Sequence, residues 1–116
     1  MPIYFLLIIA VISVSKWSLK TSIEDWDNVI NTNLRGVFAC SKVFANNLVN
    51  KKIPGKIVNI SSIAAEIVLG NYLSSYCASK AAVSHLTRTM AFEYAKYGQK
   101  IPRVTFKSNY NKDKYP

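Results

Sequence analysis

Acidic side chains are scarce in this chain of 116 residues: six Asp and Glu stand against fifteen Lys and Arg, for a formal net charge of +9. Such a balance invites a nucleic-acid or membrane partner, but the distribution speaks against both. The bases are scattered, with no stripe of arginines and aromatics, and the densest group lies after Gly98, where Lys100, Arg103, Lys107, Lys112 and Lys114 face the single acid Asp113. Histidine is nearly absent; His85 alone leaves a zinc site short of ordinary ligands. The two cysteines, Cys40 and Cys77, have no metal-ligand spacing. They exclude a disulfide framework and point to free thiols in a reducing cytoplasm. No internal repeat or low-complexity run is present, and no apolar run reaches the roughly 20 residues of a bilayer span.

What is present suits one small domain with a modest core. Residues Ile3 to Val14, "IYFLLIIAVISV", are almost wholly apolar. Their length matches a signal-peptide core, but no Lys or Arg precedes them. Unbroken apolar character equally fits a buried strand of a parallel sheet. Thr21 followed by Glu24 has the spacing of a capping box. Behind it Trp26, Val29, Ile30, Leu34, Val37, Phe38, Phe44 and Leu48 recur at helical spacing, predicting one long helix to about Asn50. Ile53-Pro54-Gly55 reads as a turn, and Lys56 to Ser62 as a short β-branched strand. A second long helix is predicted from about Ser75 to Tyr97, ended by Gly98. Strand, helix, strand, helix is the alternation of a parallel α/β sheet.

In such sheets ligands sit beyond the carboxyl ends of the strands. Ser61 and Ser62 fall at that end of the second strand, and Tyr76 and Lys80 open the helix that follows. Spaced i, i+4, Tyr76 and Lys80 share one helix face, where an ammonium would favour the phenolate. An ordinary surface pair has the same spacing. A hydroxyl, a phenol and an ammonium on one rim suit proton transfer at an alcohol or carbonyl oxygen.

Three stretches, "DWDNVINTNLRGVF", "GKIVNISSIAA" and "YCASKAAVSHLTRTMAFEYAKYG", occur in this order and together resemble the middle of a short-chain dehydrogenase/reductase, from about Ser13 to Gly98. The resemblance turns the apolar N-terminal run into a strand and implies a partial Rossmann-type, doubly wound parallel sheet over residues 1–98. It implies hydride exchange between NAD or NADP and a small alcohol/carbonyl substrate. Tyr76 then matches the proton-exchanging tyrosine, and Lys80 the lysine that lowers its pKa and binds the nicotinamide ribose. These two would be the cofactor-binding residues. Ser62 matches the serine that holds the substrate oxygen, with Ser61 as the alternative, since strand side chains alternate in direction. Asn33, which by itself reads as a solvent-facing polar residue in mid-helix, matches the asparagine holding a water in the proton relay. The resemblance also implies pairing of copies through the two long helices, and neither a metal, a nucleic acid nor a membrane.

Three departures accompany it. The family's glycine-rich cofactor turn has no counterpart, because Gly36, Gly55, Gly70 and Gly98 stand in no such pattern. Where the family carries Asn-Asn-Ala-Gly, this chain has Ile8-Ile9-Ala10-Val11. The loop from Ser62 to Tyr76 is one residue longer than its commonest form. Residues 99–116 resemble nothing in the family beyond a faint strand at Ile101 to Val104 and are expected to form a loose basic tail. The chain is therefore expected to have little activity by itself, as a non-catalytic relic or a helix-mediated interaction piece would.

Overall fold

The computed structural model describes residues 4–9, 11–68, 72–95 and 103–107. Strand β1 (Tyr4–Ile8) is followed by helix α1 (Ile23–Ile30), a π-helical turn (Asn31–Arg35) and helix α2 (Gly36–Lys51). Strand β2 (Gly55–Ile60), helix α3 (Ser74–Tyr94) and strand β3 (Arg103–Lys107) complete the order. All three strands run parallel in the order β1-β2-β3, with Tyr4 opposite Gly55 and Lys56 opposite Arg103. The expected α/β sheet is present.

The apolar N-terminal run is only partly strand: pairing stops at Ile8, and of the residues beyond it Ile9, Val11 and Ile12 are exposed. The single long helix is interrupted at Asn31–Arg35, where a wider turn lets Asn33 point inward. Its cap is Ser22, not Thr21. The Thr21 hydroxyl donates to the Trp17 carbonyl at 2.9 Å, closing a 3-10 turn, which leaves the Ser22 oxygen to accept from the Asp25 N–H at 3.0 Å. Lys16 Nζ lies 2.8 Å from Asp25 and, by that hydrogen bond first, holds its carboxyl below the usual range.

The loose tail meets a correction at Arg103–Lys107. These residues pair with the whole of Lys56–Ile60. Pro102, whose missing N–H would remove a ladder donor, lies outside the described residues. The other tail residues lie outside the described ones, as do Tyr97 and Gly98.

The helices cover one face of β2, on which Gly55, Ile57 and Asn59 are buried. Ala45, Ile57 and Met90 form the centre, against which Leu6, Phe44, Leu86 and Tyr94 pack. Lys52, at φ 55°, ends α2, and the Ile53 N–H donates back to the Leu48 carbonyl at 3.1 Å. This return stacks Leu48 on Gly55, where a Cβ would run into the leucine methyls and stand 3.1 Å from the Tyr4 carbonyl oxygen. Replacing Gly55 by alanine therefore strains the first pair of the β1–β2 ladder. Ile57→Ala opens a cavity at the fully buried centre instead. A loss of about 2–5 kcal/mol in urea unfolding is expected for Ile57→Ala, and an unchanged midpoint would place the core elsewhere.

Candidate active site

Strand alternation separates the two serines that follow β2. Ser61 is buried, with its hydroxyl 2.8 Å from that of Ser84 on α3. Ser62 is turned the other way and half-buried, and its oxygen caps a short 3-10 turn (Ile63–Ala65) by accepting from the Ala64 N–H at 3.2 Å. Ser61 is thus taken up in holding α3 to the sheet. Ser62 has an oxygen on the rim.

Tyr76 and Lys80 lie in the first two turns of α3. The lysine is 6% exposed, and its Nζ donates to the Ile60 carbonyl at 3.1 Å. The same Nζ sits 5.8 Å from the centroid of the half-buried Tyr76 ring. A carbonyl at the end of β2 therefore anchors the ammonium beside the phenol, and two of its protons remain for other acceptors. Burial without a carboxylate partner pushes the Lys80 pKa below its ordinary 10.5.

Asn33 does not face solvent. It is fully buried, and its Oδ1 accepts from the Ile12 N–H at 2.9 Å while its Nδ2 donates to the Ile12 carbonyl at 2.8 Å and to Ser79 Oγ at 3.1 Å. Ser79 in turn donates to the Tyr76 carbonyl at 2.7 Å. The amide thus joins the segment after β1 to the turn of α3 between Tyr76 and Lys80. Both its N–H protons are committed, so a water at this side chain could only donate, to the second lone pair of Oδ1. Ser79, Ser84 and Thr87 were not singled out from the sequence. Their signal was a polar stripe at helical spacing on the buried side of α3, with Asn59 Nδ2 donating to Thr87 at 3.0 Å.

The departure after β1 has a visible effect. Ile8 stands beside Asn59 in the β1–β2 register and offers no donor, and Asn59 Oδ1 is buried without a hydrogen-bond partner. The groups at hand fit one end of a dinucleotide only. Lys80 and Tyr76 could meet a ribose and a nicotinamide. The described glycines, Gly36 within a helix and Gly55 beneath Leu48, form no pyrophosphate cradle, and the rim after β1 is aliphatic. Among the described residues no group of His, Cys, Asp and Glu could hold a metal ion, and no helix is long and apolar enough to cross a membrane.

Residues 2–106 match the family model for short chain dehydrogenases. The chain belongs to the short-chain dehydrogenase family. It is 42% identical over 93 residues to a 3beta-hydroxysteroid dehydrogenase 1 of Eggerthella lenta, covering 80% of this chain and 35% of that one. It is 39% identical to a 3-oxoacyl-[acyl-carrier-protein] reductase of Synechocystis, covering 74% and 34%. A solved 4-hydroxyisoleucine dehydrogenase, complexed with NADH and succinate, superposes with a TM-score of 0.81 at 32% identity over 88% of this chain and 46% of its own. The chain thus spans about a third of the length of these two sequence relatives, and the family's Rossmann-type fold is present in part.

Two outcomes test this wiring. Asn33→Leu leaves the Ile12 N–H and carbonyl and the Ser79 hydroxyl short of a partner, and a loss of about 1–3 kcal/mol in urea unfolding is expected. For Lys80, the folded state binds its proton less tightly than the unfolded state. Its charged form therefore weakens the fold below the folded pKa, and stability rises with pH between that value and 10.5. Unfolding midpoints over the alkaline range should show this rise in the native chain and lose it in Lys80→Met.

Proposed function

We propose that this chain carries the proton-transfer half of an NAD- or NADP-dependent oxidoreductase acting on a small alcohol/carbonyl pair. The observation that carries the reading is the Lys80 ammonium, anchored by the Ile60 carbonyl and lying 5.8 Å from the Tyr76 ring centroid. In reduction, Tyr76 gives its phenolic proton to the substrate oxygen. The ammonium of Lys80 then stabilises the phenolate that remains. Ser62 donates its hydroxyl proton to the same oxygen while its lone pair serves the Ala64 N–H. Asn33 fixes the turn between Tyr76 and Lys80 and is the family's candidate for holding a relay water. A bound nicotinamide supplies or accepts the hydride. Relatives complexed with NADH and with NADP support the class of cofactor.

By itself the chain has little or no activity on this reading, since its own residues provide no cradle for the pyrophosphate. Copies associate through the long helices, and the free thiols Cys40 and Cys77 accord with a cytoplasmic setting. A second reading, a non-catalytic interaction piece, is favoured by the exposed aliphatic rim of Ile9, Val11 and Ile12.

Fluorescence titration of the full chain with NADH and NADPH separates the two. The first reading expects weak, saturable binding that Lys80→Ala weakens about tenfold or more, while Tyr76→Phe leaves it nearly unchanged. Binding indifferent to Lys80→Ala would put the dinucleotide elsewhere. Absence of binding by a folded sample would leave the interaction piece.

A further inference from the structure

Beside the proton-transfer residues lies a cavity of about 710 Å³. Its wall takes in Ala64, whose N–H donates to the Ser62 oxygen, and Cys77, the neighbour of Tyr76. Immediate neighbours of both residues that would meet the substrate oxygen thus border it. On α3 it also meets Ala78 and Ala81, about a third of a turn round the helix from Tyr76 and Lys80. Ile67 and Leu73 give it an apolar lining, and Trp17 and Tyr72 border it with rings whose centroids are 6.5 Å apart. The backbone holds these two rings. The Lys16 N–H donates to the Tyr72 carbonyl at 3.0 Å, and the Trp17 carbonyl accepts from the Thr21 hydroxyl at 2.9 Å. Tyr72 has φ 72°, an unfavourable conformation for a residue with a Cβ, and such strain gathers at ligand clamps.

The charge of the wall runs against that of the chain. Fifteen Lys and Arg outnumber six Asp and Glu overall, yet Glu66 is the single charged side chain among the described residues of the wall. Lys16 and Lys20 flank the stretch Trp17-Ser18-Leu19 that lines the cavity, but neither borders it. The Lys16 ammonium is paired with Asp25 at 2.8 Å.

We infer that the substrate of this site is an amino alcohol or amino ketone, an apolar body bearing an ammonium group. The inference rests on the oxidoreductase reading and names its substrate class. The carbinol or carbonyl oxygen meets the Tyr76 and Ser62 hydroxyls, and the apolar body fills the cavity. The ammonium meets the Glu66 carboxylate and the rings of Trp17 and Tyr72, whose quadrupoles attract a cation. A carboxylate or phosphate in the same place would face Glu66 and find no base. An uncharged alcohol would gain the apolar burial alone. The turn of the helix keeps the ammonium away from Lys80, whose like charge would repel it.

Isothermal titration of the full chain at neutral pH compares phenylethanolamine with the uncharged methyl phenyl carbinol and the anionic mandelate. The amine is expected to bind about fivefold or more tightly than the carbinol, and mandelate least. Glu66→Gln should erase most of that preference, and Trp17→Leu should weaken the amine by about threefold. Both residues are exposed, so circular dichroism should be unchanged in either variant. Added salt should narrow the gap between amine and carbinol. Equal binding of the two, amine binding indifferent to Glu66→Gln, or no binding of any probe overturns the substrate class. NADH titration of the same samples reports on the oxidoreductase reading separately. NADH bound without a preference for the amine overturns the class and leaves that reading. The amine bound through Glu66 by a chain that takes no NADH keeps the cation site and overturns the reading.

Discussion

One buried amide holds the working end of this fold together. Asn33 satisfies both backbone groups of Ile12 as a neighbouring strand would, and its remaining proton reaches Ser79. Three parts of the chain far apart in sequence thus meet at one side chain. The π turn makes this possible, because the extra residue per turn swings position 33 toward the sheet. Without that bond the segment after β1 would lose its side-chain tie to Ser79, and the turn carrying Tyr76 and Lys80 would be held by packing and by the contacts of Lys80 and Ser61 at the end of β2.

The Lys80 side chain depends on that arrangement. A buried ammonium with no carboxylate beside it is unfavourable, and here a single carbonyl at the end of β2 offsets the loss of water. The result is a cation held where strand and helix converge, its pKa lowered by burial. Charge is most useful to a phenol there, because the surroundings screen it least.

Much of this was legible in the residues. The alternation of strand and helix, the i, i+4 spacing of Tyr76 and Lys80, and the opposed directions of Ser61 and Ser62 all follow from backbone periods. What escaped reading were features fixed by contacts distant in sequence. Asn33 reads as a solvent-facing polar residue until the π turn is seen. The Thr21 cap gave way to Ser22 because a neighbouring carbonyl at Trp17 claimed the threonine. Residues 103–107 became a strand because β2 offers a bonding edge on its far side, a fact that their own composition does not carry. Asn59 is the reverse case: its unsatisfied oxygen follows from a neighbour, Ile8, whose lack of a donor could be read in advance but whose place in the register could not.

The strand order has a consequence for how the chain acquires its shape. β2 lies between β1 and β3, and each ladder closes only after a helical crossover has been made. Among the described strands no hairpin can form early, so neither β1 nor β3 has a local partner there on which to nucleate. The chain must make distant pairings before any rewards them, a condition that slows folding. During that interval the apolar residues of β1 are open to other chains. On the ribosome the β1–β2 ladder would have to wait until β2 emerged behind α2, and assistance by a chaperone would matter most during that wait.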